Sequence, residues 1–545
     1  MKKFSQIFSL IALSALFMLT SCIEETVPED GTATAAQVGA SAAALEGALN
    51  GIPSQMCQGY YVYGEQTHET DMAYPQFMIA CTEMLGDMYP EGSNSGYDWY
   101  RMYNTFSGNV GETSYFAYLP WFTLYRFVKA CNDVISTVDF EDESVNDEIK
   151  GMAGAAYAMR AFDYYMLMVF FEPVENIYTD VKNVKGLTVP IVSENTTNEQ
   201  AKSNPRVTHA EMMEFILSDL DKAEAALKNW SPATKYLPNL AVVYGIRAKV
   251  LLWDEQYAEA AKYARMAIDE SKASPVTAAQ WEDPTTGFAQ ANQAWMWYLH
   301  YDPENMGNLC NFVGWMSGEA GWGYSSLTFP SMDKSLYDKI GKNDFRKTTF
   351  LHPDKFAYYD YKTVRDADFI ESAPPYLSLK FRCLQGNWED YATGGAIDVP
   401  IMRVEEMYLI EAEAVGASQS AAAGAQLLNS FMQNYRDPSY SFTPTDTRSL
   451  QLEVLTQMRI EFWGEGNAFP SAKRLKPGVM QNYEGTNAPA NIFKINCAGI
   501  KPNWNLVIPI SELNNNKALQ GFNNPDPTTA IKGPSPVGQY APGKY

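Results

Sequence analysis

Apolar residues recur at steps near 3.6 along most of this 545-residue chain. Trp121, Leu124, Tyr125, Val128 and Ile135 form one such stripe. Met152, Ala155, Ala156, Met159 and Phe162 form a second, and Met212, Ile216, Leu220, Ala223 and Leu227 a third. Val243, Ile246, Val250 and Trp253 make the fourth; Ile401, Val404, Tyr408, Ala412 and Val415 make the fifth. Each stripe predicts the buried face of an amphipathic helix. The helices group as roughly 118–137 with 147–171, 208–228 with 238–254, 256–271 with 401–416, and 421–436 with 449–466.

At Trp253-Asp254-Glu255-Gln256-Tyr257-Ala258-Glu259-Ala260-Ala261 a short polar turn leads into small alanines that let two helices approach closely. That junction resembles a tetratricopeptide repeat. The expected fold is therefore mainly α, with about four degenerate tetratricopeptide-like helix pairs. Between 272 and 400 the pattern breaks: Pro and Gly become frequent, and Trp295-Met296-Trp297-Tyr298-Leu299-His300 reads as a strand. A mixed, loop-rich insertion with short strands is expected there, and binding loops usually sit in such segments. The tail from 499 to 545 is irregular apart from an extended piece at Leu506-Val507-Ile508-Pro509.

The first residues carry their own pattern. Lys2 and Lys3 precede an apolar run from Ile7 to Leu19, which is too short to span a bilayer as a mature helix and ends in Leu19-Thr20-Ser21-Cys22. A cysteine after small residues at the end of such a run resembles a bacterial lipobox. Residues 1–21 are then the signal peptide and Cys22 the lipidated residue, since more than one acyl chain gives a stable anchor. Ile23-Glu24-Glu25 resembles the surface-export signal of Bacteroidetes lipoproteins, and 22–45, acidic and rich in small residues, reads as a flexible tether.

Charge and chemistry narrow the function. A net charge of −23, with no basic cluster, repels phosphate backbones and excludes nucleic acid as a partner. Cysteines 57, 81, 131, 310, 383 and 497 are widely spaced and form no CxxC pair, so neither zinc nor a disulfide-dense scaffold is suggested. Cys131 falls on an apolar helix face and is expected as a buried free thiol. His68, His209, His300 and His352 are isolated, and no HExxH, GxSxG or Walker pattern occurs, so no catalytic residue, metal or cofactor is expected. Glu461 and Glu465 could mimic a glycosidase acid pair. The plainer reading is a structural helix end, with these carboxylates accepting from Lys473, Arg474 or backbone N–H groups. Gly318-Glu319-Ala320-Gly321-Trp322-Gly323 lacks the strand-helix context of a phosphate loop and reads as a mobile surface loop.

Aromatics in loops are the candidates for binding. Tyr97, Asp98, Trp99 and Tyr100 follow the turn-rich Gly92-Ser93-Asn94-Ser95-Gly96, and Trp315, Trp322 and Tyr324 lie in a second loop. A flat ring packs on the CH-rich face of a sugar while carboxylates and amides bind its hydroxyls. Flanking glycines favour Trp99 and Trp322 as platforms. The candidate ligand-binding set is Tyr97, Asp98, Trp99, Trp315, Trp322 and Tyr324. Of Trp295 and Trp297, at least one is expected in the core.

An ordered series of motifs over about 45–525 resembles the RagB/SusD family of outer-membrane nutrient-uptake lipoproteins. Trp121, Tyr125 and Asn132 precede Arg160-Ala161-Phe162-Asp163-Tyr164-Tyr165, Pro190, Asp219-Leu220 with Ala223, and Arg247-Ala248-Lys249. Asp344 and Arg346 follow, then Arg403, Glu411-Ala412-Glu413-Ala414, Arg459, Glu461-Phe462-Trp463-Gly464-Glu465-Gly466, Lys473-Arg474, Ile508-Pro509 and Glu512. The usual acid before Lys473 is absent and the closing motif is blurred. The resemblance implies a single domain over 46–545: a helical scaffold (46–271 and 401–498), the ligand-binding insertion (272–400) and the tail. It also implies a non-enzymatic lid on a SusC-like TonB-dependent transporter, lipid-anchored at the outer membrane and facing outwards. The ligand would be an oligosaccharide, or alternatively a peptide. A surface glycoside hydrolase and a purely structural lid are the rival readings.

Overall fold

The computed structural model describes residues 41–59, 68–91, 97–105, 110–140, 142–304, 306, 308–355, 360–531 and 533–538. Cys22 and most of the expected tether lie outside these. Eleven helices of eight residues or more carry the fold among the described residues: α1 (Ala42–Cys57), α2 (Pro75–Leu85), α3 (Tyr115–Ile135), α4 (Asp147–Phe171), α5 (His209–Leu227), α6 (Leu240–Trp253), α7 (Tyr257–Ser271), α8 (Val404–Ser418), α9 (Ala421–Tyr435), α10 (Thr447–Glu461) and α11 (Ala468–Leu475). Helix α1 starts three residues before the expected end of the tether. There Ser41 caps it, its Oγ accepting from the N–H of Ala44.

The helices stack in sequence, α3 on α4, α4 on α5, α6 on α7, α7 on α8 and α8 on α9. Helix α5 packs more extensively on α4 than on its expected partner α6, and α10 lies chiefly on α8 rather than on α9. The proposed grouping into pairs is thus looser than the periodicity suggested. One apolar core runs from Leu45 to Leu519 through both parts of the helical scaffold and includes Trp295 and Trp297, both fully buried. All six described cysteines are free and buried, Cys131 among them. No helix among the described residues is long and apolar enough to cross a membrane.

Charged motif residues inside apolar helices find partners on other helices, as burial demands. Arg160 of α4 reaches Asp219 of α5 through Nε and Nη2, both at 2.8 Å, and Asn132 of α3 at 2.7 Å. Lys249 of α6 pairs with Glu406 of α8 at 2.7 Å. The fully buried ammonium of Lys473 donates to the carbonyls of Val169 at 2.8 Å and Glu172 at 3.0 Å, closing the open C-terminal end of α4. Burial pulls its pKa down to about 7.

Glu461 and Glu465 sit at the centre of a second buried cluster. Glu461 accepts from Arg346 and Arg403 at 3.0 Å and from Arg436 at 2.7 Å; Glu465 accepts from Arg403 at 2.8 Å and Lys380 at 2.6 Å. Burial opposes the Glu461 charge, but the guanidiniums outweigh it and hold the carboxyl well below its usual range. The expected structural role stands with different partners, because Lys473 caps α4 and Arg474 pairs with Glu413 at 2.5 Å. The cations that do bind come from distant segments, which sequence proximity could not reveal.

Short ladders tie the insertion to the scaffold. Strand β2 (Trp295–His300) runs antiparallel to β4 (Asp398–Arg403), which delivers Arg403 to the buried cluster. Strand β1 (Met88–Pro90) runs antiparallel to β3 (Pro330–Met332), pairing Met88 with Met332 and Pro90 with Pro330. The run 318–323 is a loop packed against the protein rather than a free surface loop, with Gly321 its one exposed residue. Glu319 is fully buried and salt-bridged to Arg382 at 2.7 Å, and Gly321 donates to the carbonyl of Trp388 at 2.8 Å.

Candidate functional site

In an antiparallel ladder, the chain leaving one strand and the chain entering its partner lie at the same end. The segment after β1 and the loop before β3 are therefore neighbours, and the N–H of Glu91 extends the pairing to the carbonyl of Phe329 at 3.1 Å. These two stretches hold the candidate aromatics.

Residues 97–100 alternate. Tyr97 is 47% exposed and Trp99 half-buried, while Asp98 and Tyr100 turn inward. The Tyr100 hydroxyl donates to the carbonyl of Thr70 at 2.5 Å, pinning the segment from beneath. An extended chain points successive side chains to opposite faces, so Tyr97 and Trp99 share the outer one. Tyr97 stacks on Tyr324, with centroids 5.6 Å apart and planes at 26°. Trp99 meets Tyr324 at 5.3 Å, and Tyr324 meets Trp315 at 4.4 Å. Four of the six sequence candidates thus form one continuous aromatic cluster. Its outer surface is made by Tyr97 and Trp99, with the buried Trp315 and Tyr324 as backing.

The other two candidates lie elsewhere. Asp98 is buried behind the cluster; burial pushes its carboxyl up to about 7 although Arg101 opposes this, and the buried Glu83 carboxyl beside it is raised for the same reason. Trp322 is packed beneath its loop: a Cβ on Gly394 would stand 2.7 Å from its ring and one on Gly314 3.3 Å. Glycines near this indole mark close backbone approach, not exposure.

His68 joins the cluster without having been singled out in the sequence. Its ring stacks on Tyr115 at 4.1 Å and tilts against Trp99 at 4.7 Å. The N–H of Thr70 reaches His68 Nδ1 at 3.2 Å. A backbone N–H can only donate, so Nδ1 accepts there, and burial lowers the ring's pKa in keeping with that. No periodicity surrounds His68, so only the tertiary arrangement exposes its role.

The loop carrying Trp315 and Tyr324 is anchored on its inner side. Glu319 accepts from the N–H of Val364 at 3.1 Å as well as from Arg382, and Arg365 donates to the Glu319 carbonyl at 2.8 Å. Gly323 adopts φ +69°, where a Cβ would lie 2.4 Å from the carbonyl oxygen of Leu309. Among the described residues no group of three or more His, Cys, Asp or Glu side chains is placed to hold a metal. With Glu461 and Glu465 buried and locked by cations, what the cluster offers is an aromatic stacking surface.

Comparison with known proteins accounts for this architecture. Residues 70–252 match a SusD-like family described as starch-binding and associating with the outer membrane, and residues 343–526 match the SusD family. The chain belongs to the SusD/RagB family. A SusD-like carbohydrate-binding protein from Bacteroides vulgatus is similar at 21% identity, over 89% of this chain and 98% of its own, with a TM-score of 0.70. A SusD superfamily protein from Bacteroides thetaiotaomicron shares 17% identity over 89% and 100%, with a TM-score of 0.66. Surface glycan-binding protein A from Bacteroides thetaiotaomicron, solved in complex with laminarihexaose, shares 18% identity over 88% and 98%, with a TM-score of 0.60. No curated protein matches the sequence. At these identities the likeness establishes the SusD-like fold.

Proposed function

We propose that this protein is a cell-surface lipoprotein that binds an oligosaccharide and delivers it to a SusC-like TonB-dependent transporter as its lid. The observation that carries the binding reading is the cluster of Tyr97, Trp99, Trp315 and Tyr324, built from two loops that one short ladder clamps together. Family membership supports it, as does a similar structure holding laminarihexaose. Stacking rings suit a glycan, whose hydroxyls then meet polar atoms at the rim. The protein is not an enzyme in this reading, because the one acid pair that could imitate a glycosidase is buried and neutralised. Cys22 would carry the lipid that holds it at the outer membrane.

The test is calorimetric titration against a panel of neutral oligosaccharides and short peptides. Oligosaccharide binding that falls at least about tenfold in Trp99→Ala supports the reading. Peptide binding alone at the same residues would replace the ligand class. Binding of either class that ignores Trp99 would move the site. Co-purification with a SusC-like transporter tests the lid.

A further inference from the structure

Two acids lie behind the aromatic cluster with oxygens that no protein group satisfies. Asp98 is 4% exposed, and its Oδ2 is buried without a hydrogen-bond partner. Glu83, on α2, is fully buried, and neither of its carboxyl oxygens has one. The two are close enough for a charge on Asp98 to raise the Glu83 pKa. Arg101 favours ionised Asp98 through its charge and its backbone N–H, and Asn104, Lys501 and Arg101 favour ionised Glu83. Burial outweighs all of them. The Lys501 ammonium is committed to Asn104, donating to its carbonyl at 3.0 Å and to Oδ1 at 2.8 Å.

Asp98 shares one short segment with the outer rings. Tyr97 and Trp99 flank it and both lie against Tyr324, so rotating Asp98 towards water carries both rings off that contact. Glu83 lacks this freedom, because every residue of α2 is buried. An ionised carboxylate left unpaired in such a place is costly, and the 97–100 segment is the part that can relieve the cost.

We propose that Asp98 is a pH-sensitive latch: protonated, it keeps Tyr97 and Trp99 on Tyr324; ionised, it turns to water and takes the stacking surface apart. What the latch controls rests on the glycan reading, but the movement itself does not. An Asp98 open to water has the ordinary value of about 4, whereas burial raises it to about 7 in the closed arrangement. The closed arrangement therefore holds the proton more tightly. It is unpenalised below about 4, loses ground as pH rises to about 7, and bears a constant penalty above that. Two other titratable rings sit in the cluster, with Glu69 near both. Burial lowers the His68 pKa, and His68 lies 4.7 Å from Trp99; the Tyr324 hydroxyl is pushed up and keeps its proton.

The full-length protein is labelled with 5-fluorotryptophan, and the Trp99 resonance is assigned with Trp99→Phe and followed from about pH 5 to about pH 8 without ligand. It moves with pH in the wild type and in His68→Gln, and stays put in Asp98→Asn. Asp98→Leu, which needs no partner and cannot titrate, gives the same flat profile if the asparagine variant fails to fold. In calorimetry, wild-type oligosaccharide binding is at least about tenfold weaker at about pH 8 than at about pH 5, a loss absent in the Asp98 variants. If no oligosaccharide binds at any pH, the glycan reading fails, while the fluorine titration still decides the latch. The latch is overturned if the Trp99 resonance does not move, if it moves equally in the Asp98 variants, if His68→Gln abolishes the movement, or if an oligosaccharide binds equally at both pH values.

Discussion

Tyr97 and Tyr324 stack with centroids 5.6 Å apart although 227 positions separate them in the chain, because Tyr97 follows β1 and Tyr324 precedes β3 at the same end of their antiparallel ladder. The contact joins two loops that have little else in common in sequence, and it defines the outer edge of the proposed platform.

Removing the platform should separate binding from stability. Trp99→Ala and Tyr97→Ala expose little new core, because both rings are partly open to solvent. Each should weaken oligosaccharide binding at least about tenfold in calorimetry with the melting temperature nearly unchanged. Trp322→Ala should behave in the opposite way, costing about 3–5 kcal/mol in chemical denaturation because it empties a packed site.

Gly323→Ala should cost affinity without touching any ring. The new Cβ meets the Leu309 carbonyl and the residue must hold φ +69°, so the loop bearing Tyr324 has to shift. Loss of binding with wild-type affinity retained in Leu327→Ala, an exposed neighbour, would show that loop geometry is the cause.

Glu461→Gln should destabilise the protein by about 3–5 kcal/mol, since it leaves Arg346, Arg403 and Arg436 buried around a neutral amide. Hydrolysis of any glycan by the purified wild type, lost in this variant, would contradict the non-enzymatic reading.

His209 gives a pH signature. Its ring hydrogen-bonds Glu172 at 3.0 Å and Asp254 at 2.8 Å, and these carboxylates raise its pKa to about 9. A raised pKa means the folded state holds the proton more tightly, so its stabilisation is whole below about 6.5 and fades as pH rises through about 9. The gap in melting temperature between wild type and His209→Ala should therefore shrink between pH 7 and pH 10. A gap independent of pH would deny the ion pairs.

Cys22→Ala should release the protein from membrane fractions or stall its processing. A variant that remains bound and fully processed would remove the lipid anchor from the proposal.

The helices were legible because burying one face of a helix imposes a period that side chains cannot hide. Arg160, Asn132 and Asp219 were legible as motif residues, and their meeting across α3, α4 and α5 follows from the cost of leaving a guanidinium unpaired in an apolar core. Tyr97, Trp99, Trp315 and Tyr324 stand out in the sequence as aromatics in loops, and the ladder explains why their rings meet. Asp98 turns inward although its charge suggests a surface position, because alternation along 97–100 places it on the face opposite Tyr97 and Trp99. Trp322 was misplaced because a glycine beside an indole signals close contact as readily as exposure. His68 left no trace in the pattern, since its stacking on Tyr115 depends wholly on how distant segments meet.

The β1–β3 ladder is held by peptide groups, which every residue carries, and it places two loops side by side whatever those loops contain. Mutation can therefore rewrite the aromatic surface without disturbing the device that assembles it. Solved structures only 15–21% identical share the overall fold over 87–89% of the chain. On the proposed reading, the ligand can therefore change with a few loop side chains while the framework that presents them stays the same.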